Sequence, residues 1–455
     1  MKNIGVRRVE LNRCNNEVRR ALDTTVSLYR LACKEILLTV EECWDDIVNA
    51  GSYQDKLTFV ESLIHKTRHN PNPKYPMFDV RFYKFPSYYR RSAIHFVLGS
   101  YSSYMSNLAK YNKRRYEAIS NGKKFADKKP RLESMNSFPV LYKQGSFELL
   151  ENGRFKIKVY IRNTWDWITV SMPNRDKNDL DEYILKGNVL SPTLVFAYGK
   201  YNLDFPIEYK YELKELQDVK SRRILAVDMG VNCDAVCSVM CGDGTVESRH
   251  FINLGSEKDC LDRLINRTRK LHKMSGKEQS LSHIWTKISG VKQNHARQLA
   301  SKISKLAVSE NVDVVVFEKL GNMEPKGDKK ERIHHWCKIV MQDIACGLLH
   351  RNGIRYAFVN PAKTSKLAFD GSGEVKRHKN NFSVCTFKTG KEYNCDLNAS
   401  YNIGARYYIK QYLESFDENQ KLLLQAKVPD VVKRTNCTLA TYRSLLEAAS
   451  QITAA

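Results

Sequence analysis

Residues 3–12, NIGVRRVELN, alternate apolar and polar positions and predict a short strand. From Glu17 to about Tyr116 the apolar residues fall three and four apart, as in VRRALDTTVSLYRLACKEIL, and predict helices. NPNPKYP, residues 70–76, breaks that run, after which YYRRSAIHFVLGSYSSYMSNLAKYNKRRYEAIS reads as one long helix with a strongly basic end. From Ser137 to Leu213 alternating β-branched and aromatic runs return in RFKIKVYI, DWITVSM and TLVFAYG, a small β domain. The first strand is isolated at the amino terminus, so it is expected to join this later sheet and leave the helices as an insertion.

A third region starts near Val219. RRILAVD, AVCSVMC and TVESRHFI form a predicted meander with CGDG turning between the last two, and a long basic helical stretch follows. Strand VDVVVFE, a helix around Trp336 to His350 and strand IRYAFVN then alternate, which predicts parallel additions to the meander. Residues 361–395 look irregular; from Leu397 the pattern is helical, and the rest of the chain reads as a helical tail. The fold class is therefore multidomain α+β: a mixed α/β domain over 219–455, a β domain formed by 1–12 with 132–218, and a helical insert over 13–131.

Charge narrows the partners. Over 455 residues, 74 Lys and Arg oppose 50 Asp and Glu, a formal net charge of +24. A polyphosphate chain is the commonest partner of such a surface, so nucleic acid leads. No run of about 18 uncharged apolar residues appears, and MKNIGVRRVELNRC lacks the apolar core of a signal peptide, so no membrane association is expected and the chain reads as soluble and intracellular. Twelve scattered cysteines suit reduced, buried thiols better than a disulfide scaffold. Cys233, Cys237 and Cys241 fall four apart, which on a strand puts them on one face and favours core packing over metal binding.

Three acids stand out by position. Asp228 ends ILAVD, Glu318 ends VDVVVFE, and Asp396 opens the last helix in NCDLNAS. Strand ends at the carboxyl edge of an α/β sheet converge on a crevice, as does a helix start. Three carboxylates there repel one another unless a cation lies between them, and Mg²⁺ is a hard ion that takes oxygen ligands and substrate phosphate. Two such ions about 4 Å apart can activate a water and stabilise the leaving oxygen of a phosphodiester. Each acid also has a plain reading as turn former or helix cap. Glu318 is the most telling, because it directly follows an apolar strand.

AVDMGVN, VVVFEKLGN and NCDLNASYNIGAR resemble the three split segments of a RuvC-type, RNase H-like nuclease, in the form carried by TnpB proteins and compact type V CRISPR effectors. The resemblance covers residues 222–410 in detail and the amino-terminal half in layout. It implies that Asp228, Glu318 and Asp396 are the catalytic, Mg²⁺-binding triad, with Mn²⁺ as a substitute. It implies a RuvC-like domain at 219–455, a wedge-like domain at 1–12 with 132–218, and a recognition domain at 13–131. The implied activity is RNA-guided DNA endonuclease, with a guide RNA and target DNA as partners and a short flanking motif read by the protein. The implied location is the cytoplasm of a prokaryotic cell, at the nucleoid when on target; monomer and homodimer on one RNA both stay open, as does transposon or CRISPR context.

One departure concerns the zinc ribbon that this family carries within 361–395. Ala368 and Gly371 stand where its first cysteine pair belongs, and Lys388 stands where the partner of Cys385 belongs. His378, Cys385 and Cys395 are irregular ligands, so no zinc is expected and the ribbon is expected to persist as a metal-free loop.

Nucleic-acid contacts are expected along KYNKRRYEAISNGKKFADKKPR, from Lys113, Arg114, Arg115, Lys123, Lys124, Lys128, Lys129 and Arg131. Tyr88, Tyr89, Tyr101 and Tyr104 could stack on bases, although several must pack the helix core; Tyr104 is the expected contact. Lys292, His295 and Arg297, on the basic helix 287–305, could face a heteroduplex in the nuclease cleft, as the resemblance implies. Two competing readings remain: an RNA-guided DNA binder with weak or no cleavage, and an actin-like ATPase, which shares the DxG and the meander but needs a glycine-rich nucleotide loop that the chain lacks.

Overall fold

A computed structural model describes residues 2–453 apart from 13–14, 123, 133, 175, 179, 181–186, 231–232, 276–280, 320–337, 379–380 and 382. It divides into two compact units, Lys2–Lys210 and Tyr211–Ala455.

In the first unit, β1 (Lys2–Glu10) pairs antiparallel with β7 (Lys200–Lys210), from Lys2 opposite Lys210 to Glu10 opposite Asn202. The isolated strand thus joins the later sheet. β5 (Asn188–Val189) and β6 (Thr193–Ala197) also pair with β7. A second sheet holds β2 (Phe147–Leu149), β3 (Arg154–Ile161) and β4 (Thr164–Ser171). Between β1 and β2 come α1 (Asn16–Glu42), α2 (Trp44–Asn49), α3 (Tyr53–Ile64), α4 (Met77–Arg81) and α5 (Ser87–Ser120). Asn15 starts α1 by accepting from the Val18 amide, and Ser52 with Asp55 forms a reciprocal capping box on α3. One core joins helices and strands, including Tyr29, Ile36, Tyr89, Val97, Phe155 and Phe205.

The second unit is built on a five-stranded sheet of order β10-β9-β8-β11-β12. β8 (Arg223–Asp228), β9 (Ala235–Cys241) and β10 (Val246–Ile252) form the antiparallel meander; β11 (Val314–Glu318) lies parallel to both β8 and β12 (Arg355–Val359). Helices α6 (Gly255–Ser275) and α7 (Ser282–Ser309) lie between β10 and β11, and α8 (Lys338–Arg351) precedes β12. The central strands are apolar throughout because both faces are covered. Leu225, Val227, Val315 and Phe317 pack with Leu299, Ile303, Met341 and Ala345 of α7 and α8. Ile224, Ala226, Val314 and Val316 pack on the other side with Tyr401, Ala405 and Tyr408 of α9 (Cys395–Glu414). Gly404 lets α9 approach this closely: a Cβ there would lie 2.3 Å from the sulfur of Met240 and 3.3 Å from Ala226 Cβ. Cys237 is fully buried in the α7 side of this core, whereas Cys233 and Cys241 are half-buried.

Residues 361–395 depart from the irregular pattern expected of them. β13 (Lys376–Arg377), β14 (Val384–Thr386) and β15 (Glu392–Asn394) form an antiparallel sheet over a small core of Ala368, Cys385, Phe387 and Cys395. The strands are too short for a period of two to register in sequence. The tail is ordered as well: α10 (Glu418–Lys427) and α11 (Leu439–Thr453) follow, and Tyr442 stacks on Tyr408 at 5.2 Å.

Candidate active site

Asp228 and Glu318 are brought level by the parallel pairing of β8 with β11, whose register sets Phe317 beside Val227. Both side chains emerge at the carboxyl ends of adjacent central strands. Asp396 lies in the first turn of α9, where the Asn394 side chain accepts from the amides of Asp396 and Leu397. The three segments therefore meet at one sheet edge.

Asp228 feels the other two carboxylates. Burial raises the Asp228 carboxyl well above its ordinary value, the charges of Glu318 and Asp396 raise it further, and Arg377 opposes them. Burial also raises Glu318, against a hydrogen bond from Thr364 and the charge of Arg406. Asp396 is raised by burial and lowered by Arg377. All three are half-buried. Among the described residues, no group of three or more His, Cys, Asp and Glu side chains is gathered closely enough to hold a metal ion. The acids thus share one electrostatic environment without forming a closed chelate. The Thr364 hydroxyl donates to Glu318 Oε1 at 2.5 Å. An all-carboxylate donor set under mutual repulsion fits a hard divalent cation, which would relieve that repulsion.

Gly230 matters for space. A Cβ at this position would lie 2.7 Å from the carbonyl oxygen of Cys233 and 3.8 Å from Asp396 Oδ2. The glycine of AVDMGVN keeps the turn after Asp228 clear for its own backbone and for the third acid.

A polar stripe on α9 supports Glu318 from behind. Asn398 donates to Leu367 O and accepts from the Phe369 amide; Asn402 donates to Thr364 O and Leu367 O. Arg406 donates to the carbonyls of Asn360, Ala362, Thr435 and Cys437. These residues, four apart, lie on one helix face and fix the segment that presents Thr364. Asn398, Asn402 and Arg406 stand four apart in NASYNIGAR, but polar residues at helical spacing ordinarily mark a solvated face, so the pattern alone does not announce a buried stripe. Arg377 carried no such signal, because β13 reaches the acids only through the folded insert.

The expected nucleic-acid contacts separate into distinct environments. Lys113, Arg114, Arg115, Lys124, Lys128, Lys129 and Arg131 are exposed, with Arg114 3.0 Å from Asp127; Lys123 lies outside the described residues. The Tyr111 and Phe125 rings, 5.2 Å apart, fold this basic segment back along α5. Tyr89 and Tyr101 are buried, whereas Tyr104 is half-buried beside Tyr101, and Tyr88 lies against Tyr142. On α7, Arg297 is exposed and Lys292 half-buried. His295 is turned inward: its Nε2 lies 2.9 Å from Asp234, which is 1% exposed and also receives Lys258 at 3.1 Å and the Leu254 amide at 2.7 Å. In the insert, Cys385 and Cys395 lie in the small core with Ala368, and Cys385 donates to Tyr393 O.

Among solved structures, the chain is similar to Cas12f1 in a complex with sgRNA and target DNA: the TM-score is 0.54, the identity 18%, and the match covers 85% of this chain and 81% of that one. In fold, the chain resembles the compact type V CRISPR effectors. CasPhi-2 (Cas12j) bound to crRNA and phosphorothioate-DNA matches at a TM-score of 0.48 and 10% identity, over 88% of this chain and 90% of that one. The mini-RNA-guided endonuclease CRISPR-Cas_phi3 matches at 0.46 and 11% identity, over 89% and 92%. A family model described as the Aq_aa04 family matches residues 6–161. Comparison with curated proteins finds no match. Among the described residues, no helix is long and apolar enough to cross a membrane.

Proposed function

We propose that this protein is an RNA-guided DNA endonuclease whose phosphodiester chemistry occurs at Asp228, Glu318 and Asp396. The observation that carries the reading is the placement of Asp228 and Glu318 at the carboxyl ends of two paired parallel strands, with Asp396 in the first turn of the helix packed on them, in a sheet whose fold resembles that of Cas12f1. Their oxygens would hold Mg²⁺, which when bound supplies an activated water and stabilises the charge that develops on the phosphate. Thr364 fixes the orientation of Glu318, and Arg377 offers a positive charge on the side of Asp228 and Asp396 where a phosphate would enter. Guide RNA and target DNA are the proposed partners, bound through the exposed cations of 113–131 and through Arg297 and Lys292 on α7. Pairing with the guide would select the target, next to a short flanking motif.

The test uses protein purified with its co-expressed RNA, incubated with matching DNA and Mg²⁺. Wild type is expected to cut, while Asp228→Ala, Glu318→Ala and Asp396→Ala bind the same DNA without cutting it. Equal cutting by the three variants would remove the triad assignment. Binding without cutting by wild type would leave an RNA-guided DNA binder.

A further inference from the structure

The hairpin joining β6 to β7 carries an aromatic residue where its backbone disfavours one. Ala197 pairs with Lys200, so Tyr198 and Gly199 are the entire loop, and their φ angles are +55° and +77°. Two-residue loops of this hand ordinarily use Asn-Gly or Asp-Gly, because a bulky side chain is strained at positive φ. Gly199 obeys that rule and Tyr198 does not. No burial offsets the strain, since Tyr198 is 89% exposed. A strained residue persists only where its surroundings fix it, and such positions concentrate at functional sites.

The surroundings do fix it. Asn202, buried in β7, donates its side-chain amide to Lys200 O at 3.0 Å and Ala197 O at 3.4 Å, bracing the turn from beneath. Phe196 packs on Tyr201 with ring centroids 5.0 Å apart, and the Tyr201 hydroxyl donates to Asp23 of α1. The Arg19 guanidinium lies 5.9 Å from the centre of the Phe196 ring. Lys200 pairs with Glu10 at 2.5 Å and Arg8 with Asp204 at 2.6 Å, exposed ion pairs that solvent screens and that a phosphate can replace.

We propose that Tyr198 is a stacking wedge: its ring lies on the face of an exposed nucleobase, at the end of a duplex or on an unpaired nucleotide, with Arg19 and Lys200 toward the flanking phosphates. The assignment rests on the nucleic-acid reading given above. An aromatic ring on a rigid tip suits a base because every base offers a π-face, and the cations suit the backbone that must accompany it.

The full chain is titrated into an RNA hairpin ending in one unpaired 2-aminopurine, into its DNA counterpart, and into blunt versions with 2-aminopurine inside the stem. Anisotropy reports binding and fluorescence reports stacking. Wild type is expected to quench the overhanging base in at least one of the two nucleic acids, which identifies the source, and to leave the already low emission of the stacked internal base unchanged. Tyr198→Phe keeps the quench, whereas Tyr198→Asn loses it and binds the quenched probe about tenfold more weakly. Tyr198→Asn also melts at a higher temperature than wild type, because Asn suits the turn. Equal quenching and affinity in Tyr198→Asn overturns the wedge, as does a lower melting temperature, which would make Tyr198 a structural residue. Binding by wild type without any quench sinks the wedge alone; no binding to any probe sinks the nucleic-acid reading with it. Concentration-dependent self-association lost in Tyr198→Asn, with quenching unchanged, would make the tip a contact between copies and overturn the proposal.

Discussion

Thr364 touches Glu318 through a single hydroxyl, yet the polar stripe of α9 secures the whole segment that carries it. Thr364→Val keeps the shape and removes the donor, so Glu318 loses its orientation. A hydrogen bond to a charged group contributes about 1.5–3 kcal/mol, so cleavage should slow by roughly ten- to a hundredfold with DNA affinity unchanged. Single-turnover rates beside binding isotherms check this. Arg377→Ala should reduce cleavage on the order of a hundredfold while melting within a degree or two of wild type, since the residue is exposed. Asp228 and Glu318 were legible in sequence because an apolar strand ending in a carboxylate is a local pattern; Asp396, at a helix start where Asp is ordinary, drew notice only beside them and through the resemblance. Thr364 and Arg377 were not, because their importance depends on which chain segments come together in space. His295 shows the converse: its basic helix drew it toward the proposed partner, but the buried Asp234, distant in sequence, holds its ring.

At the level of elements, Asp234 ties the turn after β8 to α6 and α7 through Leu254, Lys258 and His295. Burial alone would raise its carboxyl, but His295, the Leu254 amide and Lys258 outweigh it and hold the group below its ordinary value. A depressed carboxyl stabilises the fold fully above the unfolded value near 4, and that stability is lost as pH falls through the lower folded value. Asp234→Asn should therefore cost ~2 kcal/mol at neutral pH, with the gap to wild type closing below about pH 4. Urea melts at several pH values measure it. The insert over 361–395 has a second, independent test. Its core is four small or apolar side chains, so Phe387→Ala should destabilise by about 3 kcal/mol, whereas a strong zinc chelator should leave the melting temperature unchanged. Long strands and helices could be read from periodicity, and the insert could not: its strands run two or three residues, shorter than any period can declare.

For the molecule as a whole, the +24 charge makes salt the most direct probe of the proposed partner. Affinity for DNA or RNA should fall steeply between 50 and 200 mM salt, and replacing Lys113, Arg114 and Arg115 together by Ala should lower the log–log slope by roughly one for each phosphate contact removed. Filter binding across that range decides it. The pairing of β1 with β7 bears on a different property, the order in which the chain can fold. Residues 2–10 find their partners only at 202–210, so the first unit closes its sheet across nearly its whole length, and loop closure of that span is slow. Val9 and Leu11 join the core that α1 and α5 share with the strands, and those two helices can pack together before β1 docks. Refolding of this unit should accordingly show helix formation well ahead of the last fluorescence change, with β1 the final strand to dock.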